Sequence, residues 1–152
     1  MTNETGRRAS DAEHPDAEST RTMISQSSSD SAEPRLRILV VDDDPLVGPI
    51  FSRLLAPLTV TFAQSTAGAL ARVEAGGKFD AVVCDINMPS MTGMQFYDAI
   101  ARISPPLAQR MIFVTATPSA PDVTAFIERT GCMCLAKPVR REALKQAIAA
   151  AR

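Results

Sequence analysis

The sequence predicts an α/β domain, and three observations carry that prediction. Five short apolar runs alternate with five amphipathic stretches, the pattern of strands wound with helices. Proline or glycine stands at most of the junctions between them. The polar residues suited to chemistry fall where the apolar runs end, not within them.

Residues 1–34 stand apart from this pattern. They are rich in Ser, Thr, Asp and Glu, with seven acids against three bases, net −4, and beyond Met1 their only large apolar residues are Met23 and Ile24. Such a segment buries too little surface to offset its ordering entropy, so a disordered polar tail is expected over 1–34 and one folded domain over 35–152. The folded part carries ten acids and thirteen bases, net +3. That balance is small and scattered, which argues against nucleic-acid binding.

The first strand is predicted over Leu36–Val41, where Arg37 is the one polar residue and three aspartates follow. Pro45 opens a helix with Val47, Ile50, Phe51, Leu54 and Leu55 on its inward stripe, and Pro57 ends it. Leu58, Val60 and Phe62 alternate with Thr59, Thr61 and Ala63, as in a half-exposed edge strand. Ser65 or Thr66 caps a second helix that turns Leu70 and Val73 inward and stops at Gly76–Gly77. Phe79–Cys84 reads as the third strand, ending at Asp85. A loop with Pro89 and Gly93 leads to a helix in which Phe96, Ile100 and Ile103 share a face, and Pro105–Pro106 prevents its continuation. Met111–Val114 is the fourth strand, ending at Thr115. A short helix from Asp122 to Arg129 carries Val123, Phe126 and Ile127 and closes at Gly131. Cys132–Ala136 is the fifth strand, ending at Lys137–Pro138, and a last helix turns Leu144, Ala147 and Ile148 inward. The second strand looks like an edge, so the order 2-1-3-4-5 of a flavodoxin-like, doubly wound (βα)5 parallel sheet fits best.

Cys84, Cys132 and Cys134 all lie in apolar runs and show no metal-binding spacing, and the one histidine, His14, lies in the polar leader. Three buried thiols in a reducing cytoplasm are expected. No apolar run is long enough to span a bilayer, and the first residues lack the apolar core of a secretion signal, so no membrane association is expected.

In an open parallel sheet the carboxyl ends of the strands form one crevice. Here that crevice should collect Asp42, Asp43 and Asp44, then Asp85, Thr115 and Lys137. Carboxylates crowded together repel unless cations offset them. Lys137 can supply one charge, and oxygen-only ligands that must also accept phosphate oxygens point to Mg²⁺. Positioning and charge neutralisation are what phosphoryl transfer needs, and an aspartate is a competent nucleophile for it. Asp44, directly before Pro45, is expected to cap the first helix rather than act as a ligand. Met88, Met91 and Met94 read as loop and core filler, and Arg140 and Arg141 as a solvated helix start.

Together, Val40-Val41-Asp42-Asp43-Asp44-Pro45, Asp85-Ile86-Asn87-Met88-Pro89-Ser90-Met91-Thr92-Gly93, Val114-Thr115-Ala116 and Lys137-Pro138 resemble the receiver domains of two-component signalling, over about residues 36–150. The resemblance implies phosphorylation of Asp85, with Mg²⁺ held by Asp42, Asp43, Asp85 and the backbone carbonyl of Asn87. It implies that Thr115 bonds the phosphoryl group, that Lys137 pairs with it, and that a cis bond joins Lys137 to Pro138. It further implies a histidine kinase or histidine phosphotransfer protein as phosphoryl donor. With nothing after the last helix to act as an output domain, the signal is expected to pass through a changed surface to a downstream protein target. Beyond self-phosphorylation and auto-dephosphorylation, no enzyme activity is expected.

The chain departs from the family at one place: Cys134 occupies the position, three before the lysine, where receivers usually carry Tyr or Phe. Two alternatives stand beside the receiver reading. One is a receiver-like binding module that is never phosphorylated. The other is a phosphatase of the haloacid-dehalogenase type, with Asp42 as nucleophile and Asp44 as acid/base. The latter expects Thr or Val where Leu46 stands and leaves Asp85-x-x-Met-Pro unexplained.

Overall fold

In the computed structural model the described residues are 34–152, so the expected disordered tail lies, but for Pro34, outside them. The elements run β1 (Arg37–Val41), α1 (Val47–Leu55), β2 (Thr59–Ala63), α2 (Thr66–Glu74), β3 (Ala81–Asp85), α3 (Gly93–Ile103), α4 (Pro105–Ala108), β4 (Met111–Thr115), α5 (Pro121–Thr130), β5 (Met133–Ala136) and α6 (Arg141–Ala151). All strands pair in parallel in the order β2-β1-β3-β4-β5, as the sequence predicts. The edge position of β2 follows from its polar alternate residues, which a central strand could not bury.

Strand alternation splits the core in two. Leu39, Val41, Val82, Cys84, Met111 and Phe113 face α2, α3 and α5, where Phe96, Ile100, Val123 and Phe126 meet them. Ile38, Val40, Ala81, Val83, Ile112 and Val114 face α1 and α6, against Phe51, Leu55, Leu144 and Ile148. Burial on both faces explains why β1, β3 and β4 are continuous apolar runs. Burying each such side chain contributes about 1.5–3 kcal/mol, so the central strands fix the sheet and leave only their ends for polar work.

Several expectations need correcting. Ile50 and Ile103 are 49% and 45% exposed rather than inward. The buried side of α1 is centred on Gly48, Phe51 and Leu55, and Ile50 lies about 100° around the helix from Phe51. Pro105–Pro106 ends α3 and also starts the extra turn α4, because proline suits a first helical turn; six helices, not five, lie among the described residues. β3 begins at Ala81, since Phe79 and Asp80 still belong to the approach, where Asp80 accepts the Arg37 N–H at 2.7 Å. Asp44 caps the turn ahead of α1, accepting the Leu46 N–H at 3.0 Å, and α1 itself starts at Val47 without a side-chain cap. Cys84 and Cys132 are buried, but Cys134 is half-buried, and all three are free thiols.

Ser65 caps α2 by accepting the Gly68 N–H, and α5 ends on Gly131, whose φ of 74° suits glycine. Among the described residues no helix is long and apolar enough to cross a membrane.

Candidate functional site

The carboxyl ends of β1, β3, β4 and β5 meet on one edge of the sheet. There the structure brings together Asp42, Asp43 and Asp85, one carboxylate oxygen of each lying within 4.8 Å of the others. Asp42 and Asp85 are buried, at 5% and 7% exposure, and Asp43 is exposed. Each aspartate ends a buried strand or follows one by a residue or two, so the sheet itself fixes their spacing.

Lys137 reaches in from the end of β5. Its Nζ lies 3.0 Å from Asp85 Oδ2 and 3.5 Å from Asp42 Oδ2. The peptide bond from Lys137 to Pro138 is cis, as the resemblance implies. The other oxygen of Asp85 accepts the Asn87 N–H at 3.1 Å, and Asp42 Oδ1 accepts the Asp44 N–H at 2.9 Å. Burial pushes the Asp42 carboxyl above its ordinary value, against the opposing pull of the Asp44 N–H and the Lys137 charge. Desolvation pulls Lys137 down, but the hydrogen bond and charge of Asp85, with help from Asp42, outweigh it and hold the ammonium above its ordinary value. One ammonium thus serves two buried carboxylates with an exposed third beside them.

Thr115, wholly buried at the end of β4, lies on this edge as well. Its Oγ1 accepts the Thr117 N–H at 3.1 Å, and the Asn87 side-chain amide reaches it at 3.5 Å.

The loop after Asp85 is tied down at several points. Thr66 Oγ1 donates to the Met91 carbonyl at 3.2 Å, and the Gly93 N–H to the Ile86 carbonyl at 2.9 Å. Thr92 and Gln95 form a reciprocal capping box at the start of α3. Met88 is buried in the core, and Met91 and Met94 pack against it, as filler should. Pattern alone revealed neither the tie from Thr66 to Met91 nor the contact of Thr117 with Thr115, since such hydroxyls carry no periodicity. The box Thr92-x-x-Gln95 was a readable signal.

A crevice of about 400 Å³ opens beside the cluster, with Val40, Val83, Val114 and Phe51 as its floor and Asp42, Asp85 and Lys137 at its polar end. Depressions of about 640 and 620 Å³ lie by Arg110 at the amino end of β4, away from these groups. The smaller crevice is where ligands bind in open parallel sheets. Three hard oxygen donors in reach of one another, with too little positive charge to balance them, suit a divalent cation such as Mg²⁺.

Comparison with known proteins agrees with this fold. The family model for the response regulator receiver domain matches residues 38–149. Among curated proteins, the chain is 38% identical over 113 residues to the transcriptional regulatory protein GlrR of Escherichia coli, covering 73% of this chain and 25% of that protein. It is 34% identical over 116 residues to the two-component response regulator ORR26 of Oryza sativa, covering 72% and 19%. The chain therefore spans about a quarter or less of the length of these relatives. Among solved structures, a response regulator receiver domain protein from Clostridium thermocellum superposes with a TM-score of 0.68 at 28% identity, covering 76% of this chain and 93% of that one.

Proposed function

Because this chain belongs to the response regulator receiver domain family of two-component signalling, we propose that it accepts a phosphoryl group on Asp85 from a phosphohistidine. The donor would be a histidine kinase or a histidine phosphotransfer protein. An Asp85 carboxylate oxygen attacks phosphorus, the P–N bond breaks, and its electron pair leaves with the imidazole. The product on this chain is an acyl phosphate.

The observation that carries this reading is the 3.0 Å contact between Lys137 Nζ and Asp85 Oδ2, beside the second buried carboxylate, Asp42. That ammonium stands where a phosphoryl group on Asp85 would bring its charge. The N–H of Asn87 orients the carboxylate from its other side. Thr115, on the neighbouring strand end, offers a hydroxyl to the phosphoryl oxygens. In this proposal Asp42, Asp43, Asp85 and the Asn87 carbonyl hold Mg²⁺, and the residues present fit it: they are hard oxygen donors, and the buried Asp42 is short of compensating charge. When bound, Mg²⁺ would neutralise charge on the carboxylates and the transferring group.

The acyl phosphate carries about 1.5–2 negative charges where the carboxylate carried one, together with three strong acceptor oxygens, which draws the Thr115 hydroxyl and the Lys137 ammonium toward position 85. A changed surface would then be read by a downstream protein. Beyond accepting and losing its own phosphoryl group, the domain performs no turnover in this proposal.

Acetyl phosphate with Mg²⁺ should label the protein, and Asp85→Asn should abolish the label. Label that survives in Asp85→Asn and vanishes in Asp42→Asn would replace this reading with a phosphatase-type one. Complete failure of the unsubstituted protein to label, from acetyl phosphate or a phosphohistidine donor, would leave the unphosphorylated binding module.

A further inference from the structure

The hydroxyl of Thr115 has one proton and two lone pairs, and it is wholly buried, so bulk water does not reach it. Two N–H donors face it, the Thr117 backbone at 3.1 Å and the Asn87 amide at 3.5 Å. These can engage only lone pairs. The proton is left, and the one further hydrogen-bond partner in reach is Thr117 Oγ1 at 3.4 Å.

We propose that the Thr117 hydroxyl is a positioning group that holds the Thr115 proton while Asp85 is unmodified and yields it once Asp85 carries a phosphoryl group. The inference rests on the reading of Asp85 as the acceptor. A contact of 3.4 Å is long for an O–H···O bond, so the hold is weak. Phosphoryl oxygens are charged acceptors, whose hydrogen bonds are about twice as strong as neutral ones. They should win the proton. Thr117 is exposed, so its released hydroxyl turns to water at little cost, whereas the buried Thr115 must always have a protein or phosphoryl partner.

The same geometry gives the event a mechanical consequence. The Thr117 N–H is bonded to the very oxygen that must reorient, so the backbone at Thr117 has to follow Thr115 or part from it. Thr117 lies in the loop leading into α5, and that loop is where the reorientation would first be felt.

Thr117→Val keeps the shape of the side chain and removes its acceptor, so the resting state loses its hold on the Thr115 proton. Binding of beryllofluoride with Mg²⁺, followed by amide NMR titration, should then tighten about two- to fivefold, the scale of one weak neutral hydrogen bond. Thr117→Ser keeps a hydroxyl and should bind as the unsubstituted protein does. In a Thr115→Val background, Thr117→Val should change nothing. Unchanged or weaker binding in Thr117→Val, or the same gain without the Thr115 hydroxyl, would overturn the proposal. If the unsubstituted protein bound no beryllofluoride at all, the phosphoryl reading would fall, and this inference with it.

Discussion

A β-carbon on Gly93 would lie 2.6 Å from the carbonyl oxygen of Asp85 and 2.9 Å from the α-carbon of Ile86. The start of α3 therefore rests directly on the backbone of the residue proposed as phosphoryl acceptor, and only glycine fits between. Backbone cannot swing aside as a long side chain can, so Gly93→Ala must push α3 off the end of β3. The expected loss is about 1–3 kcal/mol, as for other overpacked sites. It should appear as a lower urea midpoint at unchanged slope, together with slower labelling by acetyl phosphate. Full stability and full labelling would show that the contact relaxes freely.

Ser90, in the same loop, has a φ of 71°, the one left-handed residue other than glycine among the described residues. That conformation costs an L-residue about 1–2 kcal/mol, part of which glycine gives back through the greater freedom of its unfolded chain. Ser90→Gly should stabilise the domain by roughly 0.5–1 kcal/mol, read as a higher urea midpoint. A lower midpoint would mean that the serine side chain contributes something its geometry does not reveal.

The sheet and most of the site were legible in the sequence for one physical reason. Strands buried on both faces must be apolar throughout, so a polar residue can appear only at their ends, and Asp42, Asp85 and Thr115 mark those ends in chain order, with Lys137 following the half-buried edge strand β5. What was not legible depends on tertiary placement. A stripe of apolar residues tells that α1 has an inner side but not where its edge falls, and Leu46 and Ile50, four apart, are both exposed. Ile103 follows the period set by Phe96 and Ile100, yet it is the last residue of α3 and projects beyond the packed core. Thr66 acts across a loop, on the carbonyl of Met91, a partner that no local spacing announces.

Asp42 is held protonated more readily in the folded protein than in the unfolded chain, because burial disfavours its charge. A carboxyl shifted in that direction favours the folded state at low pH. Its contribution is fully present below the unfolded value of about 3.9 and is lost as pH rises through the higher folded value. Asp42→Asn keeps the acceptor for the Asp44 N–H, leaves Lys137 its shorter contact to Asp85, and removes the buried charge. At neutral pH without Mg²⁺ this variant should be more stable by about 0.5–1 kcal/mol, as when a functional compromise is relieved. The gain should vanish below the unfolded value. A variant less stable at neutral pH would show that the carboxylate is better compensated than its burial implies.

Mg²⁺ affinity should be modest and should fall sharply in Asp43→Ala. Asp43 is the exposed member of the cluster, so its removal takes away a ligand and leaves the packing intact. Few carboxylates and several waters make an incomplete cage for an ion that sheds water reluctantly. Titration with Mg²⁺, followed by amide NMR, measures this. Equal affinity in the variant would remove Asp43 from the site.

Cys134 pairs in register with Phe113 and lies on the same face of the sheet, two residues below the level of Thr115. A side chain this small cannot fill and vacate a pocket as an aromatic ring would. The aromatic contacts of this region run elsewhere: Phe126 of α5 meets Phe113 at 5.0 Å and Tyr97 of α3 at 5.4 Å, both edge to face. Arg129 of α5 adds an exposed ion pair to Asp98 of α3 at 3.5 Å, which contributes little. The ring of α5 is thus seated on β4 and α3, and no ring on β5 has two sets of contacts to exchange. A ligand at Asp85 can bias only an element whose contacts differ between two states. On the proposed release of the Thr115 proton the loop around Thr117–Pro121 would be such an element, because the Thr117 N–H is bonded to the Thr115 hydroxyl. Beryllofluoride should therefore move amide resonances near Asp85 and over Thr115–Pro121, with small changes across Phe126–Leu144. Large shifts throughout Phe126–Leu144, equal to those beside Asp85, would mean that α5, β5 and α6 are coupled to the site by packing that does not need an aromatic residue at position 134.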